Sequence, residues 1–538
     1  MGRNIFMSRR RFFQLAGVAG GAAGALSLIG CGGSSSGETG SDGSDGGDAT
    51  LTIAIADEPE GMDIQQIGWE NVVHALLFEP LICYSPDLSQ IQPCFAKEFS
   101  TSEDGLTYTF VLPDDAKFSN GDALDANALD ASIKRYLEIS EYASDYDSVD
   151  SFEVVDDHTY AMHLKEPAPF MMASLCSSDG GVVDASIASS EDKDAFNRAP
   201  VANGAYYVDS WDQGSQVTLK RNENFHTNNP SLKNAGAPNI GTIVIRFIPD
   251  EFTRVSEVES GDADVIFDVP TSSVQEIKDN ADLQAYDYEQ AGASMFYLNT
   301  NDPILADDQV RAALTYAIDR DEIAAALDGL VTPLYGYISE AQSCYSDEEE
   351  KKLQSALAFD ADKAKQLLAD AGWADSDGDG IVEKDGQKLS IEMLVPSDRA
   401  SLKNASPVIQ QQLSAIGVDA SIREYEAAYI KTQLKDDNYQ MGARNYVWND
   451  PDILYSTFTP ESGYSWDDPE ITDLLKKART EPDPDARKQD YVDFQEAMAT
   501  RYRAIALFAD KYIIAAKASV SDLQVTTDGR LWVNDAEV

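Results

Sequence analysis

The sequence has few basic residues for its length. Its 538 residues include 41 Lys and Arg against 93 Asp and Glu, which gives a formal net charge of −52 at pH 7. A surface this acidic repels the phosphate groups of nucleic acids and the headgroups of anionic lipids. We therefore expect no nucleic-acid partner.

Histidine and cysteine are also scarce, with four His and five Cys in the whole chain. His74, His158, His163 and His226 are not spaced as metal ligands, and neither Cys-x-x-Cys nor His-Glu-x-x-His occurs. Structural and catalytic zinc sites need such clusters. The sequence thus predicts no transition-metal site and no cofactor, and it offers no nucleophile–base arrangement of an enzyme.

The apolar stretch near the N-terminus is short for a membrane span. Residues 15–30, rich in Gly and Ala, make 16 positions, whereas a transmembrane helix needs about 20. They follow the basic run at 9–11 and precede Cys31, which is the order of an export signal. The segment resembles a twin-arginine signal joined to a bacterial lipoprotein box, which implies removal of residues 1–30 and lipidation of Cys31. A retained transmembrane anchor is the alternative.

Residues 31–49 are mostly Gly, Ser, Asp, Glu and Thr, a composition that predicts a flexible tether. In an exported chain, cysteines pair readily. Cys83 and Cys94 flank a predicted turn at 85–87, so they are the candidate pair for a disulfide that closes a hairpin. Unpaired thiols are the alternative.

From residue 50 onward, predicted strands and helices alternate, which indicates an α/β protein. Strands are predicted at 51–55 and 107–112, and Asp125 is the predicted N-cap of a helix that continues to Leu137. Near the C-terminus, 505–508 and 512–516 are predicted as two further strands. A folded part of this length has room for two or three lobes.

Several short motifs follow one another in a characteristic order. They are Lys-Phe-Ser-Asn-Gly at 117–121, Pro-Val-Ala-Asn-Gly at 200–204, Tyr-Leu-Asn-Thr at 297–300 and Ala-Gly-Trp at 371–373. Together they resemble the extracellular solute-binding proteins that serve oligopeptide-type ABC importers. The resemblance extends from about residue 51 to nearly the end of the chain.

The resemblance implies an α/β, two-lobed fold of the periplasmic-binding-protein type (type II) with an extra inserted subdomain. Lobe one is expected at 50–290 plus 506–538, with the insertion at about 89–199, and lobe two at 291–505. Two crossing strands, near 294–298 and 504–508, are the expected hinge.

The implied function is capture of a small solute, in the first place a short peptide, by closure of the lobes around it. The partners implied are an ABC permease with its ATPase, and the protein is expected to be a monomer on the outer face of the cytoplasmic membrane, held there by its lipid. Metal chelates, haem, oligosaccharides and opines are alternative ligands for the same scaffold. An exported hydrolase is the rival class.

The segment at 444–452 is predicted to line the pocket. Peptide-binding members carry an Asp shortly before an Asp-Pro pair, and it neutralises the amino group of the ligand. Val447 stands at that position here, which leaves Asp450 as a substitute. Arg444 suits a ligand carboxylate and Trp448 an apolar wall, the alternatives being a structural ion pair and a core position. The predicted binding residues are Arg444, Tyr446, Trp448, Asn449, Asp450, Trp69, Met62, Asn203 and Tyr206.

An acidic loop at 375–386 begins like a calcium-binding loop. Asp375, Asp377, Asp379 and Glu383 have suitable spacing, but Gly386 occupies the twelfth position, where a bidentate Glu completes such a site. Two interpretations follow, a structural Asx-type turn or a weak calcium site. Both lie far from the predicted pocket.

Overall fold

The computed structural model describes residues 49–538, except 69, 191, 465, 466 and 528. The predicted signal segment, Cys31 and Trp69 therefore lie outside the described residues. In the part that is described, no helix combines the length and the apolar character that crossing a membrane requires.

Strands are distributed along the whole of the described chain. They are β1 Thr50–Ile55, β2 Ile82–Tyr84, β3 Ile91–Pro93, β4 Glu98–Thr101, β5 Thr107–Val111, β6 Val149–Val154, β7 Thr159–Leu164, β8 Tyr206–Asp212, β9 Gln216–Arg221, β10 Thr242–Phe247, β11 Val265–Ile266, β12 Leu283–Glu289, β13 Gly292–Leu298, β14 Val331–Pro333, β15 Glu383–Lys384, β16 Gln387–Lys388, β17 Ser390–Pro396, β18 Asp419–Tyr425, β19 Met441–Val447, β20 Ala504–Lys517, β21 Gln524–Val525 and β22 Leu531–Trp532.

Helices alternate with these strands, so the predicted α/β class is confirmed. They are α1 Val72–Leu77, α2 Ala126–Ile139, α3 Met171–Cys176, α4 Ala185–Ser190, α5 Lys193–Arg198, α6 Glu251–Ser260, α7 Val274–Asp279, α8 Asp308–Tyr316, α9 Arg320–Ala326, α10 Asp347–Ala356, α11 Ala361–Asp370, α12 Ala400–Ala415, α13 Ala427–Lys435, α14 Ile453–Phe458, α15 Pro469–Thr480 and α16 Pro484–Arg501. Aspartates begin many of them: Asp125 accepts from the backbone N–H groups of Asn127 and Ala128 at 2.9 Å, which satisfies donors that have no partner inside the helix.

The largest sheet of the described chain is mixed and has the strand order β18-β17-β19-β13-β20-β11-β1-β10-β9-β8. β20 is its longest strand and joins two groups of elements. Its first residues pair with β13, as in Phe296 opposite Ile505, and its last residues pair with β11, as in Val265 opposite Ala516. The predicted strands at 505–508 and 512–516 are therefore one continuous strand.

Separate hydrophobic cores lie on either side of this crossing. One large core packs Leu314, Ile391 and Leu413 of the later part of the chain, and another packs Ile53, Leu77 and Ile245 of the earlier part. A four-stranded sheet, β4-β5-β7-β6, has a third core that spans Leu81 to Val182. The exact lobe and insertion boundaries stay predictions.

The candidate disulfide does not form, and Cys83 and Cys94 are free thiols. The register of the β2–β3 hairpin places Gln92 opposite Cys83, so Cys94 falls beyond the paired position. The Cys94 thiol donates instead to Glu79 Oε1 at 2.9 Å.

Candidate ligand-binding site

A cavity of about 450 Å³ is lined by residues from the earlier part of the chain, from the segment at the end of β19 and from the C-terminal segment. β1 and β11 are parallel neighbours, and Asp57 and Asp268 follow their carboxyl ends. Ligands of open α/β sheets characteristically bind beyond these ends. The other side of the cavity is the chain that follows β19. Its polar lining residues are Asp57, Glu70, Asn71, Cys83, Tyr84, Cys176, Ser177, Ser178, Asp268, Tyr288, Trp448, Asn449, Thr526, Arg530 and Trp532.

Two carboxylates make the wall acidic at the strand ends. Burial raises the pKa of Asp268; the positive charge of Arg254 opposes this rise, and the charge of Asp57 adds to it. The backbone of Asp268 has φ 54°, a left-handed conformation that side chains other than Gly adopt at a cost. Arg254 supports this conformation because its Nη2 donates to the Asp268 carbonyl at 3.1 Å.

Arg530, just before β22, supplies positive charge to the same cavity. Its Nη1 donates to the Cys176 carbonyl at 3.0 Å, which ties the C-terminal segment to α3. Desolvation by burial lowers the pKa of the Arg530 guanidinium, but nearby charges, that of Glu70 first among them, outweigh it and raise the pKa. The group therefore remains a cation.

Trp448 and Asn449 form the wall on the side of β19, as the sequence predicts for pocket residues. Backbone contacts hold them in place: the Trp448 N–H donates to the Ala291 carbonyl at 2.7 Å, and the Ser343 N–H donates to the Asn449 carbonyl at 2.9 Å. Gln342 Nε2 donates to the Trp448 carbonyl at 2.8 Å. Their contact with a ligand stays a prediction.

Asp450 does not line the cavity, which argues against its predicted role as a substitute amine partner. Its carboxylate accepts from Arg487 Nη1 at 2.8 Å and from Arg487 Nη2 at 2.7 Å. Only 1% of Asp450 and 5% of Arg487 is exposed. The two side chains form a buried bidentate ion pair that leaves no access for a ligand.

Arg444 and Tyr446 also lie outside the cavity, because side chains on a strand alternate between its faces. The Arg444 guanidinium lies 5.3 Å from the centre of the Tyr464 ring, and the Tyr446 hydroxyl donates to the Tyr337 carbonyl. Val447, on the opposite face from these two, lines the cavity.

The residues predicted from the first lobe are structural where the structure describes them. Met62 is fully buried in a core. The Asn203 side chain accepts from the Val182 N–H and donates to the Glu79 carbonyl, and the Tyr206 hydroxyl donates to the Ile240 carbonyl. None of the three lines the cavity, which argues against the predicted ligand contacts. Sequence reasoning missed Asp57, Asp268 and Arg530, which belong to no recognisable motif.

Carboxylates of the acidic loop at 375–386 accept hydrogen bonds from backbone N–H groups of the same loop. Asp375 accepts from the backbone N–H groups of Gly378 and Gly380 at 2.6 and 3.0 Å, and Asp379 pairs with Lys388. Oxygens of Asp375, Asp377 and Glu383 lie within 4.8 Å of one another. The hydrogen bonds support the interpretation as an Asx-type turn, and the weak calcium site stays a prediction.

The family described as bacterial extracellular solute-binding proteins, family 5 Middle, matches residues 90–466. The oligopeptide-binding protein AppA of Bacillus subtilis is 25% identical over 457 residues, 80% of this chain and 79% of that protein. The nickel-binding periplasmic protein of Escherichia coli is 27% identical over 388 residues, 68% of this chain and 69% of that protein.

Among solved structures, NikA from Brucella suis in complex with Fe(III)-EDTA is similar, with a TM-score of 0.76 and 22% identity. The match covers 90% of this chain and 100% of that one. This similarity confirms the predicted two-lobed fold.

Proposed function

The chain belongs to the bacterial extracellular solute-binding proteins of family 5, and on that basis we propose that it captures a short peptide in the cavity between its lobes. The observation that supports this proposal is that one cavity is lined by Asp57 and Arg530, which are expected in lobe one, and by Trp448, which is expected in lobe two. Its volume of about 450 Å³ lies within the range of about 300–1,000 Å³ that is typical of small-ligand sites.

Capture follows from the way in which the lobes are connected. β13 and β20 cross between them, and a small change of backbone angles in these strands separates or joins the cavity walls. A ligand that contacts both walls interacts fully with the closed form alone, so it shifts the equilibrium toward closure. The chain works with an ABC permease and its ATPase, as its family does. The closed form presents the loaded cavity to the permease.

Members of this family are extracellular or periplasmic, and we place this chain outside the cytoplasmic membrane with Cys31 as its lipid anchor. The order of basic run, apolar run and Cys supports this placement. We assign no catalytic role. Replacing Cys31 by Ser should move the protein from the membrane to the soluble exported fraction, whereas a Cys31→Ser protein that stays membrane-bound would indicate an uncleaved anchor.

Small-angle X-ray scattering tests the capture directly. The radius of gyration of the purified protein is measured with and without a pancreatic digest of casein, and we expect compaction together with a higher melting temperature. Trp448→Ala should weaken this response because it removes apolar contact area from one wall. Unchanged size and melting temperature of the wild-type protein would contradict peptide capture.

Peptide capture also predicts a transport phenotype. Deleting the protein should abolish uptake of its ligand while the permease remains assembled. Normal uptake in the deletion strain, with no second receptor present, would contradict the proposed partnership.

A further inference from the structure

The walls of the cavity are chemically unequal. Asp57, Glu70 and Asp268 contribute acidic groups, whereas Arg530 is the one cationic side chain among its described lining residues. A carboxylate that enters this cavity is therefore repelled at the strand ends and attracted to the side where Arg530 lies.

The Arg530 guanidinium has unused hydrogen-bonding capacity. Among the described residues its single side-chain hydrogen bond is the one from Nη1 to the Cys176 carbonyl, and its buried Nε has no partner. The nearby Glu70 carboxylate accepts from the Ser178 N–H at 2.9 Å and makes no salt bridge of 4.0 Å or less with this guanidinium within the described chain. In the part of the chain that the structure describes, Nη2 of Arg530 has no hydrogen-bond acceptor, so a ligand carboxylate that reaches Nη2 gains a charge-assisted hydrogen bond.

We propose that Arg530 is the residue that recognises the ligand's anionic group, and that the ligand therefore carries a carboxylate. This inference rests on the proposed capture function and deepens it. The planar guanidinium matches a carboxylate through two parallel hydrogen bonds, and Trp532 and Tyr84 line the same cavity for an apolar part. Neutral oligosaccharides, which have no group of this kind, are excluded as the principal ligand. The role that the sequence assigns to Arg444 belongs to Arg530.

Two forms of one probe test the assignment. The melting temperature of the full folded chain is followed while it is titrated with a pancreatic casein digest, and then with the same digest after methyl esterification of its carboxylates. We expect the unmodified digest to stabilise the wild-type protein at much lower concentration than the ester. Equal stabilisation by both forms would overturn the proposal.

Variants connect this preference to the residue. Arg530→Gln removes the positive charge and should raise the half-saturating concentration of the unmodified digest about 10- to 100-fold, which erases the difference from the ester. Arg530→Lys keeps the positive charge and should retain part of the preference for the unmodified digest over the ester. Arg423→Gln is the matched control, because Arg423 is an exposed residue that pairs with Glu392. An Arg530→Gln protein that still discriminates between the two digests would overturn the proposal.

A second measurement applies whatever the ligand is. Small molecules are extracted from wild-type and Arg530→Gln protein purified from the producing cells and are compared by mass spectrometry. Carboxylate-bearing molecules present on the wild-type protein and depleted at least tenfold on the variant support the proposal, and equal sets on both, including none on either, overturn it. If neither digest binds the wild-type protein, peptide capture fails while this comparison still decides the role of Arg530.

Discussion

The buried ion pair between Asp450 and Arg487 should be essential for stability. In the Asp450→Ala protein, Arg487 keeps the Ala478 carbonyl, 3.0 Å from its Nε, and the Tyr491 hydroxyl, 3.3 Å from its Nη2, but no carboxylate. An uncompensated buried charge costs about 3–5 kcal/mol. For a lobe of this size, that corresponds to a decrease of about 6–20 °C in melting temperature.

Differential scanning calorimetry without ligand measures this effect. Asp114→Ala is the control, since Asp114 is exposed and pairs only at the surface with Lys97 at 3.3 Å, an interaction worth about 0–1 kcal/mol. An Asp450→Ala protein that melts within about 2 °C of the wild type would refute the reasoning. If that variant also lost ligand affinity, Asp450 would be a binding residue.

Two further predictions concern Arg479, which lies beside the Phe170 ring and pairs with Asp452. Arg479 lies 4.4 Å from the centre of the Phe170 ring, and Arg479→Ala should weaken ligand binding by about 0.5–1 kcal/mol and enlarge the radius of gyration, whereas the exposed Arg423→Ala should change neither. Desolvation raises the pKa of Asp452 to about 7 despite the opposing charge of Arg479, so the folded state holds a proton that the unfolded chain releases above about pH 4. The free energy of unfolding should therefore fall between about pH 4 and 7. Urea titrations at several pH values measure this fall, and Asp452→Asn should remove part of it. Identical pH profiles for the two proteins would show that Asp452 does not titrate in this range.

Local sequence determined many secondary elements of this protein. The polar turn at 156–158 joins β6 and β7 in a hairpin, and Gly372 follows the C-cap of α11 with φ 88°, a conformation that glycine adopts without strain. These features depend on residues that are neighbours in the chain, so the local sequence is sufficient to predict them.

The length of β20 depended on tertiary structure. Its middle residues, Asp510 and Lys511, do not favour a strand by themselves. They continue one because Asp510 lies opposite Val331 in β14 and Lys511 lies opposite Glu289 in β12. Two predicted strands thus became one crossing strand through partners about 180 and 220 residues away in the sequence.

Some features of the candidate site were likewise predictable from the sequence, whereas others required the tertiary structure. The sequence alone pointed to Trp448 and Asn449, because a continuous motif carries them, and its composition alone argued against a nucleic-acid partner. Only the tertiary structure decided that Asp450 is paired with Arg487, that Arg444 lies outside the cavity, and that Arg530 and Trp448 line the same cavity. The physical reason is that charge pairing and cavity walls depend on distances between residues far apart in the chain, and these distances exist only after the lobes have packed.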